Sequence, residues 1–150
     1  MDRYDYMNIA LALANEAASL GEIPVGCVIV RNGEVISKAH NETEKSKNAT
    51  LHAEMIAITR ASQKLNSANL GGCELYVTLE PCPMCAGAII NAKIDKVVFG
   101  AFDLKYGACG SALNLFSLPD VHSPECFGGI EEDKCTEILK NFFKNLRDNK

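Results

Sequence analysis

Residues 75–100, which read LYVTLEPCPMCAGAIINAKIDKVVFG, are the stretch that decides the fold. Leu75 to Val77 at its start predict a strand, and Val97 to Phe99 near its end predict another. Between them, a helix is expected to begin near Pro81 or Cys82, where the apolar spacing changes to that of a helix. A strand, a helix and a further strand in this order are typical of α/β folds.

The N-terminal part of the chain continues this alternation of helices and strands. Val25 to Val30 is an almost unbroken apolar run, so it predicts a strand that is covered on both faces. Asn32-Gly33 predicts a two-residue hairpin turn, and Glu34 to Ala39 would then be the returning strand. One helix is expected before this hairpin, ending at Gly21, and another after it, beginning near Thr50. The apolar positions of the first of these helices are Tyr6, Ile9, Ala10, Leu13, Ala17 and Leu20.

The C-terminal part is expected to contain three further elements. Ser111 to Leu118 predicts a short helix that Pro119 stops, and Glu125 to Phe127 predicts a weak edge strand. A last helix is expected from about Glu131, with five residues facing the core: Cys135, Ile138, Leu139, Phe142 and Leu146. Taken together, the pattern predicts one α/β domain over residues 1–150, a three-layer α/β/α sandwich around a five-stranded mixed sheet.

Composition limits the class of function. The chain has 150 residues, 47% of them apolar and 23% charged, with a formal net charge of -4 and a pI of about 5.4. This balance is typical of a globular domain and argues against a general, strongly basic nucleic-acid binder. Any contact with nucleic acid must therefore come from a local basic patch or from a site that takes a few nucleotides.

The cysteine content and the termini predict a soluble cytoplasmic protein. The polar segment from Met1 to Asn8 has no signal-peptide pattern, and no run of about 18 apolar residues is present to cross a membrane. The seven cysteines are an odd number, so reduced thiols or metal ligands are expected rather than a disulfide framework. Those outside the Cys-x-x-Cys motif are expected to be buried apolar residues: Cys27, Cys73, Cys109, Cys126 and Cys135.

Two short motifs carry the chemistry. His52-Ala53-Glu54 lies at the start of one predicted helix, and Cys82-Pro83-Met84-Cys85 opens the next. Two thiols and one imidazole are ligands that catalytic zinc prefers, with a fourth position left for water. Helix N-termini also favour the thiolate form of cysteine. His52, Cys82 and Cys85 are therefore predicted to bind one Zn²⁺ ion.

Glu54 is predicted to move protons beside this metal. Two residues beyond His52, its carboxylate can reach a water on the ion, take its proton and return it to a ring nitrogen and to departing ammonia. His-x-Glu followed by Pro-Cys-x-x-Cys is the signature of zinc deaminases. Alternative interpretations are a thioredoxin-like redox pair or a structural zinc half-site for the cysteines, and a glutamate favoured only by the helix dipole for Glu54.

At these residues the chain resembles the bacterial tRNA-specific adenosine deaminases, and the resemblance runs from the first helix to the last. The zinc motifs alone are common to the wider deaminase superfamily, whereas the segments after the fourth strand favour the RNA enzyme. The matching segments are Glu22-Ile23-Pro24-Val25-Gly26, Asn41, His52-Ala53-Glu54, Thr78 to Ile89, Val97 to Ala101, Gly107 to Ser111, and Phe142-Phe143 before Arg147.

This resemblance implies a cytidine deaminase-like fold and hydrolytic deamination of the wobble adenosine of a tRNA anticodon to inosine. It also implies a homodimer with the anticodon loop bound near the dimer interface. Asn41 is then expected to hydrogen-bond the target base, and the loop around Asp103, Lys105 and Tyr106 to border the RNA. Association with a membrane is not expected.

Several alternatives remain open at the level of sequence. A deaminase of a free base or nucleoside, such as guanine or cytosine, would share the zinc site and differ in its pocket. A scaffold or RNA-binding module without activity would not need all four chemical residues. Basic residues recur on the last helix, where they form either an RNA-binding stripe or an ordinary solvated face: Lys140, Lys144, Arg147 and Lys150.

Overall fold

The structure, a computed structural model, describes residues 1–149, so Lys150 lies outside the described residues. Four helices, five strands and one 3₁₀ turn follow one another along this described part of the chain. They are α1 (Arg3–Ser19), β1 (Gly26–Arg31), β2 (Glu34–His40), α2 (Ala53–Leu65), β3 (Cys73–Leu79), α3 (Pro83–Ala92), β4 (Lys96–Ala101), the 3₁₀ turn Leu115–Ser117, β5 (Glu125–Phe127) and α4 (Glu132–Asp148).

The five strands form one mixed sheet in the order β2-β1-β3-β4-β5. β1 pairs antiparallel with both β2 and β3, whereas β3, β4 and β5 are parallel to one another. The predicted hairpin is confirmed, because Asn32 and Gly33 both have positive φ, 51° and 78°, as a tight turn of this length requires. β1 is buried along its length except at Arg31, as its unbroken apolar run predicted.

Helices cover both faces of this sheet, which confirms the α/β/α sandwich. On one face, α2 and α3 pack on a cluster that contains Ile29, Leu75 and Val97. On the other, α1 and α4 pack on Val28, Tyr76 and Val98. Alternate residues of each strand therefore supply the two cores, because successive side chains of a strand point to opposite faces.

Gly26 lets α1 lie close against the sheet. A Cβ atom at this position would overlap the carbonyl oxygen of Ala10 and come within 2.8 Å of the backbone nitrogen of Ala14. The N–H group of Gly26 donates to Thr78 Oγ1 at 3.2 Å, which ties the start of β1 to β3. The small side chains of Ala10 and Ala14, both fully buried, complete this close contact.

The predicted helix over Ser111 to Leu118 is wrong. The N–H groups of Ala112 and Leu113 donate back to the carbonyl oxygen of Gly107, at 3.0 and 3.2 Å, and so close a compact loop. Only Leu115–Ser117 makes a helical turn, which the side chain of Asn114 caps by accepting from Phe116 N at 3.0 Å. Local polar contacts of this kind compete with helix formation.

The predicted core face of α4 is only partly correct. Cys135 is buried, and Ile138 and Leu139 pack against the core, but Leu146 is 52% exposed and Phe142 lies outside both core clusters of the described residues. A helix of 17 residues is about 25 Å long, whereas the six residues of β4 beneath it span about 20 Å. Two of the cysteines expected in the core, Cys109 and Cys126, are partly exposed.

Within residues 1–149, no helix has both the length and the apolar character needed to cross a membrane.

Candidate active site

Two helices begin at the same edge of the sheet and present the ligand side chains to each other. His52 is the N-cap residue of α2 and Cys82 that of α3, and both have extended backbone conformations. An N-cap side chain commonly bonds to the first turn of its own helix, but neither of these two does so. The imidazole and the thiol are therefore free to bind something else.

The three predicted ligands form one cluster. The Sγ atoms of Cys82 and Cys85 each lie 3.5 Å from Nδ1 of His52, and all three ligand atoms lie within 4.8 Å of one another. Zinc bonds of about 2.3 Å to sulfur and about 2.0 Å to nitrogen, at a tetrahedral angle, separate the two atoms by about 3.5 Å. The donor set and its spacing therefore fit a zinc ion, with Nδ1 of His52 as the nitrogen ligand.

The protonation of the cluster also suits metal binding. A hydrogen bond from the Cys85 thiol, with a further contribution from His52, lowers the pKa of Cys82 to about 4. The same hydrogen bond and burial raise the pKa of Cys85 well above its ordinary value. The Cys82 thiolate in turn raises the pKa of His52. The lowered pKa of Cys82 favours its thiolate, the form of cysteine that binds metal ions.

Glu54 lies beside this cluster in the first turn of α2. Its side chain is 4% exposed, and burial raises its pKa to about 7. A hydrogen bond from its own backbone N–H, and contacts with His52 and the Cys85 thiol, partly oppose this effect of burial. A carboxyl group with a pKa near neutrality can both accept and return a proton at the pH of a cell.

Asn41 occupies the position that a side-chain cap of α2 would need. It follows β2, is 6% exposed, and its Oδ1 atom accepts from the backbone nitrogen of Ala53 at 2.8 Å. This hydrogen bond satisfies one of the free N–H groups at the start of α2, which the side chain of His52 leaves unpaired. Asn41 therefore stabilises the helix that carries His52 and Glu54, a role that the sequence analysis did not predict.

A pocket of about 760 Å³ opens above these residues. His52, Glu54, Cys82 and Asn41 all contribute to its lining. Five large apolar side chains that line the same pocket are exposed, by 39% to 82%, so they form its rim rather than its interior: Ile23, Phe102, Leu104, Tyr106 and Phe143. An apolar rim around a polar floor suits a ligand that extends beyond the reacting group.

Residues 102–111, here named the rim loop, form one side of the pocket mouth. Oδ1 of Asp103 accepts from the backbone nitrogens of Lys105 and Tyr106 at 3.1 and 3.0 Å, so this carboxylate shapes the loop. Lys105 is exposed, and its Nζ atom lies 5.2 Å from the centroid of the Tyr106 ring. The structure thus brings Asp103 and Lys105 to the pocket that Asn41, Glu54, His52 and Cys82 also line, and Cys85 lies buried beside His52 and Cys82.

Several residues of this pocket were not among the predicted site residues. Glu80 could have been recognised as a site candidate, because it is an ionisable residue directly after an apolar strand and before Pro81. Phe102 likewise follows the end of β4, but Ile23 and Phe143 lie far away in sequence, and only the fold brings them to the pocket.

Comparison with known proteins places this site in a family. The family model described as the cytidine and deoxycytidylate deaminase zinc-binding region matches residues 1–101. This match contains the His-x-Glu and Cys-x-x-Cys motifs, and it spans both helix N-termini of the site.

Relatives that match most of the chain narrow the assignment. A tRNA-specific adenosine deaminase of Aquifex aeolicus is 44% identical over 149 residues, which cover 99% of each chain. A solved structure from studies of A-to-I editing by tRNA:A34 deaminases is 41% identical, covers 90% of this chain and 99% of that one, and has a TM-score of 0.87.

A guanine deaminase of Bacillus subtilis is 38% identical but covers only 68% of this chain and 66% of its own, with a TM-score of 0.67. Similarity to the tRNA enzymes extends over the parts that this comparison leaves unmatched. The chain therefore belongs to the tRNA-specific adenosine deaminases, within the cytidine and deoxycytidylate deaminase family.

Proposed function

We propose that this protein deaminates the wobble adenosine of a tRNA anticodon loop, converting adenosine and water into inosine and ammonia. The observation that carries the proposal is a cluster of two thiols and one imidazole beside Glu54, at the floor of a pocket with a broad apolar rim. Relatives that are named tRNA-specific adenosine deaminases, such as the one of Aquifex aeolicus, align with nearly the entire chain.

His52, Cys82 and Cys85 would hold one Zn²⁺ ion per chain, since their separations fit tetrahedral coordination. When bound in such a site, zinc lowers the pKa of a coordinated water to about 7 and so supplies a nucleophile at neutral pH. His52 and Cys82 are the N-cap residues of α2 and α3, so the positions of these two helices fix where the two ligands lie.

Glu54 would carry the protons of the reaction. Its carboxylate takes a proton from the attacking water and gives it to ring nitrogen N1 of the purine, while the water oxygen bonds to C6. A second proton of that oxygen then passes through Glu54 to the amino group, which leaves as ammonia when the C6–N6 bond breaks. Both transfers are served by the pKa of about 7 that burial gives this side chain.

Asn41 would read the base. Its Oδ1 atom is already engaged by Ala53 N, so the Nδ2 group is the part of the amide available to a substrate. A purine offers ring nitrogens that accept hydrogen bonds. Asn41 can therefore hold the target base through a donated hydrogen bond while keeping α2 capped.

The rim would take the nucleotides that flank the target. Single-stranded loops expose bases that stack on aromatic side chains, and Phe102, Tyr106 and Phe143 offer such surfaces here. Because the net charge is -4, positive charge has to be local. Lys105 stands on the rim loop, and a second groove that shares Phe102 and Phe143 with the pocket is lined by the basic residues of α4, Lys140, Lys144 and Arg147.

We also propose that the protein is a homodimer, and that it acts in the cytoplasm. The family resemblance supports the dimer. The seven free cysteines, two of them needed as metal-ligand thiolates, fit a reducing compartment.

Replacing one metal ligand should remove the metal. Cys82→Ala is expected to lose zinc and activity together, because two ligands are too few for a stable catalytic zinc site. The matched control is Cys73→Ala, which removes a buried thiol of β3 outside the cluster and should keep about one zinc per chain. Elemental analysis of the purified proteins makes the comparison, and full zinc in Cys82→Ala would contradict the assignment.

Replacing Glu54 should separate chemistry from metal binding. Glu54→Gln keeps the shape of the side chain, so zinc content should be unchanged, while turnover should fall by about 10²- to 10⁴-fold because the proton carrier is lost. Glu132→Gln changes another first-turn glutamate, exposed on α4, and should leave turnover unchanged. Near-normal single-turnover rates for zinc-loaded Glu54→Gln would remove this residue from the mechanism.

Asn41→Asp should distinguish base recognition from helix capping. Asp keeps an oxygen that can accept from Ala53 N at the start of α2, so the helix cap should be retained, but it removes the Nδ2 donor. Because the new charge is buried, the melting temperature should fall, and activity is compared on protein that is folded and zinc-loaded. Loss of one hydrogen bond to the base should reduce kcat/KM on the RNA about 10- to 100-fold. If kcat/KM is unaffected in a folded, zinc-loaded variant, Asn41 is a capping residue only.

The substrate itself is tested by comparing RNA and free bases. An anticodon stem-loop with a wobble adenosine should be converted rapidly, and the same loop with cytidine, as well as free adenosine, guanine and cytosine, should be poor substrates. The rim of the pocket offers the anticodon loop contacts that a free base cannot make. Rapid conversion of free guanine or cytosine, with the adenosine loop left unchanged, would instead establish a free-base deaminase.

A further inference from the structure

Glu80 is a buried carboxylate that the proposed mechanism does not use. It is 2% exposed, and it stands directly after β3, two residues before Cys82. A carboxylate removed from water in this way is costly unless hydrogen bonds replace the lost hydration. The hydrogen-bond donors around Glu80 therefore indicate what this buried side chain does.

Within residues 1–149, all the side-chain hydrogen bonds of Glu80 come from the rim loop. Oε1 accepts from the backbone nitrogen of Asp103 at 3.1 Å and from the hydroxyl of Ser111. Oε2 accepts from the backbone nitrogens of Cys109 and Ser111, each at 3.1 Å. These donors lie near both ends of the rim loop, so one carboxylate holds both ends.

The backbone of the rim loop is folded closely around this carboxylate. A Cβ atom at Gly107 would overlap the carboxyl group of Glu80 and the carbonyl oxygen of Asp103. The backbone nitrogen of Ala108 also donates to Pro81 O at 2.8 Å, in the segment that leads to Cys82. The side chain of Glu80 thus fills the space that a larger residue at position 107 would take.

Between the anchored ends, the rim loop presents its side chains to the pocket mouth. Leu104 is 82% exposed and Tyr106 59%, and the turn that displays them is closed by Asp103 Oδ1. Ala108, near the end of the loop, is fully buried in the core, but the exposed tip has no such packing. The hydrogen bonds of Glu80 to both ends of the loop therefore act together with Asp103 to restrain how Leu104, Lys105 and Tyr106 meet a substrate.

We propose that Glu80 is a positioning residue that presets the rim loop for the RNA and acts on substrate binding rather than on the chemical step. This inference rests on the proposed function, because it takes the nucleotides flanking the target base as the ligand of the loop. An ordered loop loses less conformational freedom when RNA binds, so loss of the anchor weakens binding while the floor of the pocket is unchanged.

The test is Glu80→Gln in the zinc-loaded, full-length protein. Glutamine has the same shape but replaces one acceptor oxygen by an NH₂ group, which cannot accept from the N–H donors of the rim loop. KM for the adenosine stem-loop should rise about tenfold, with kcat and zinc content within about twofold of the original protein. Amide hydrogen exchange should become at least about tenfold faster in residues 103–111, and stay unchanged in the loop at 42–48.

Two further variants keep the inference falsifiable. Ser111→Ala removes one donor to Glu80 and should raise KM and exchange in the same segment, but less than Glu80→Gln. Should Glu80→Gln not fold, Ser111→Ala carries the test alone. Tyr6→Phe removes a hydrogen bond from α1 to Gly33 O, far from the pocket, and serves as the control for general destabilisation, with KM unchanged.

Three results would overturn the inference. They are an unchanged KM with unchanged exchange in 103–111, a fall in kcat with loss of zinc, and an equal rise in KM for Tyr6→Phe. If the original protein does not convert the stem-loop at all, the proposed function fails instead. The exchange measurement then still decides whether Glu80 holds the rim loop.

Discussion

The site depends on one constraint, that α2 and α3 begin at the same edge of the sheet and face each other there. α3 follows β3 directly, so its N-terminus lies at the carboxyl end of that strand. α2 is brought to the same place by Asn41, whose side chain binds the backbone of Ala53. Because His52 and Cys82 are the N-cap residues of these helices, the distance of 3.5 Å between their ligand atoms follows from the packing of the helices. The packing of these helices therefore also sets the geometry of the candidate metal ligands.

Three buried glutamates show how differently one residue type is used within a short distance of this edge. Burial raises the pKa of Glu54 to about 7, which leaves it able to exchange protons. Burial also raises the pKa of Glu22, but hydrogen bonds from the backbone nitrogens of Glu44 and Lys45 outweigh that effect and leave it below the ordinary value. The hydrogen-bond partners of Glu80 among the described residues all lie in the rim loop. The glutamate with the raised pKa is the one proposed to carry protons, whereas the two that accept several backbone hydrogen bonds each hold a loop.

The sequence alone could predict those parts of this arrangement that depend on residues close together in the chain. The Asn32-Gly33 turn, the apolar run of β1 and the two metal motifs are local, and the fold and the meeting of His52 with Cys82 and Cys85 agree with them. The segment 111–118 was misjudged because its N–H groups bond back to Gly107 O, a contact that helical spacing does not reveal. Leu146 was misjudged because its apolar spacing continues after the sheet beneath α4 has ended. Glu80 could be seen as an unusual charge, but its partners lie 23 to 31 residues away.

α4 packs on the core along only part of its length, and this has a consequence for how the specificity of such an enzyme could change during evolution. Phe143 lines the pocket yet is 39% exposed, and the one fully buried side chain of α4 within the described residues is Cys135, two turns earlier. Substitutions at exposed positions commonly change stability by less than about 0.5 kcal/mol. One wall of the pocket can therefore accumulate mutations without endangering the fold, while the opposite wall, built on the N-termini of α2 and α3, cannot. New substrate preferences would then arise by divergence along the last helix, on a catalytic floor that stays constant.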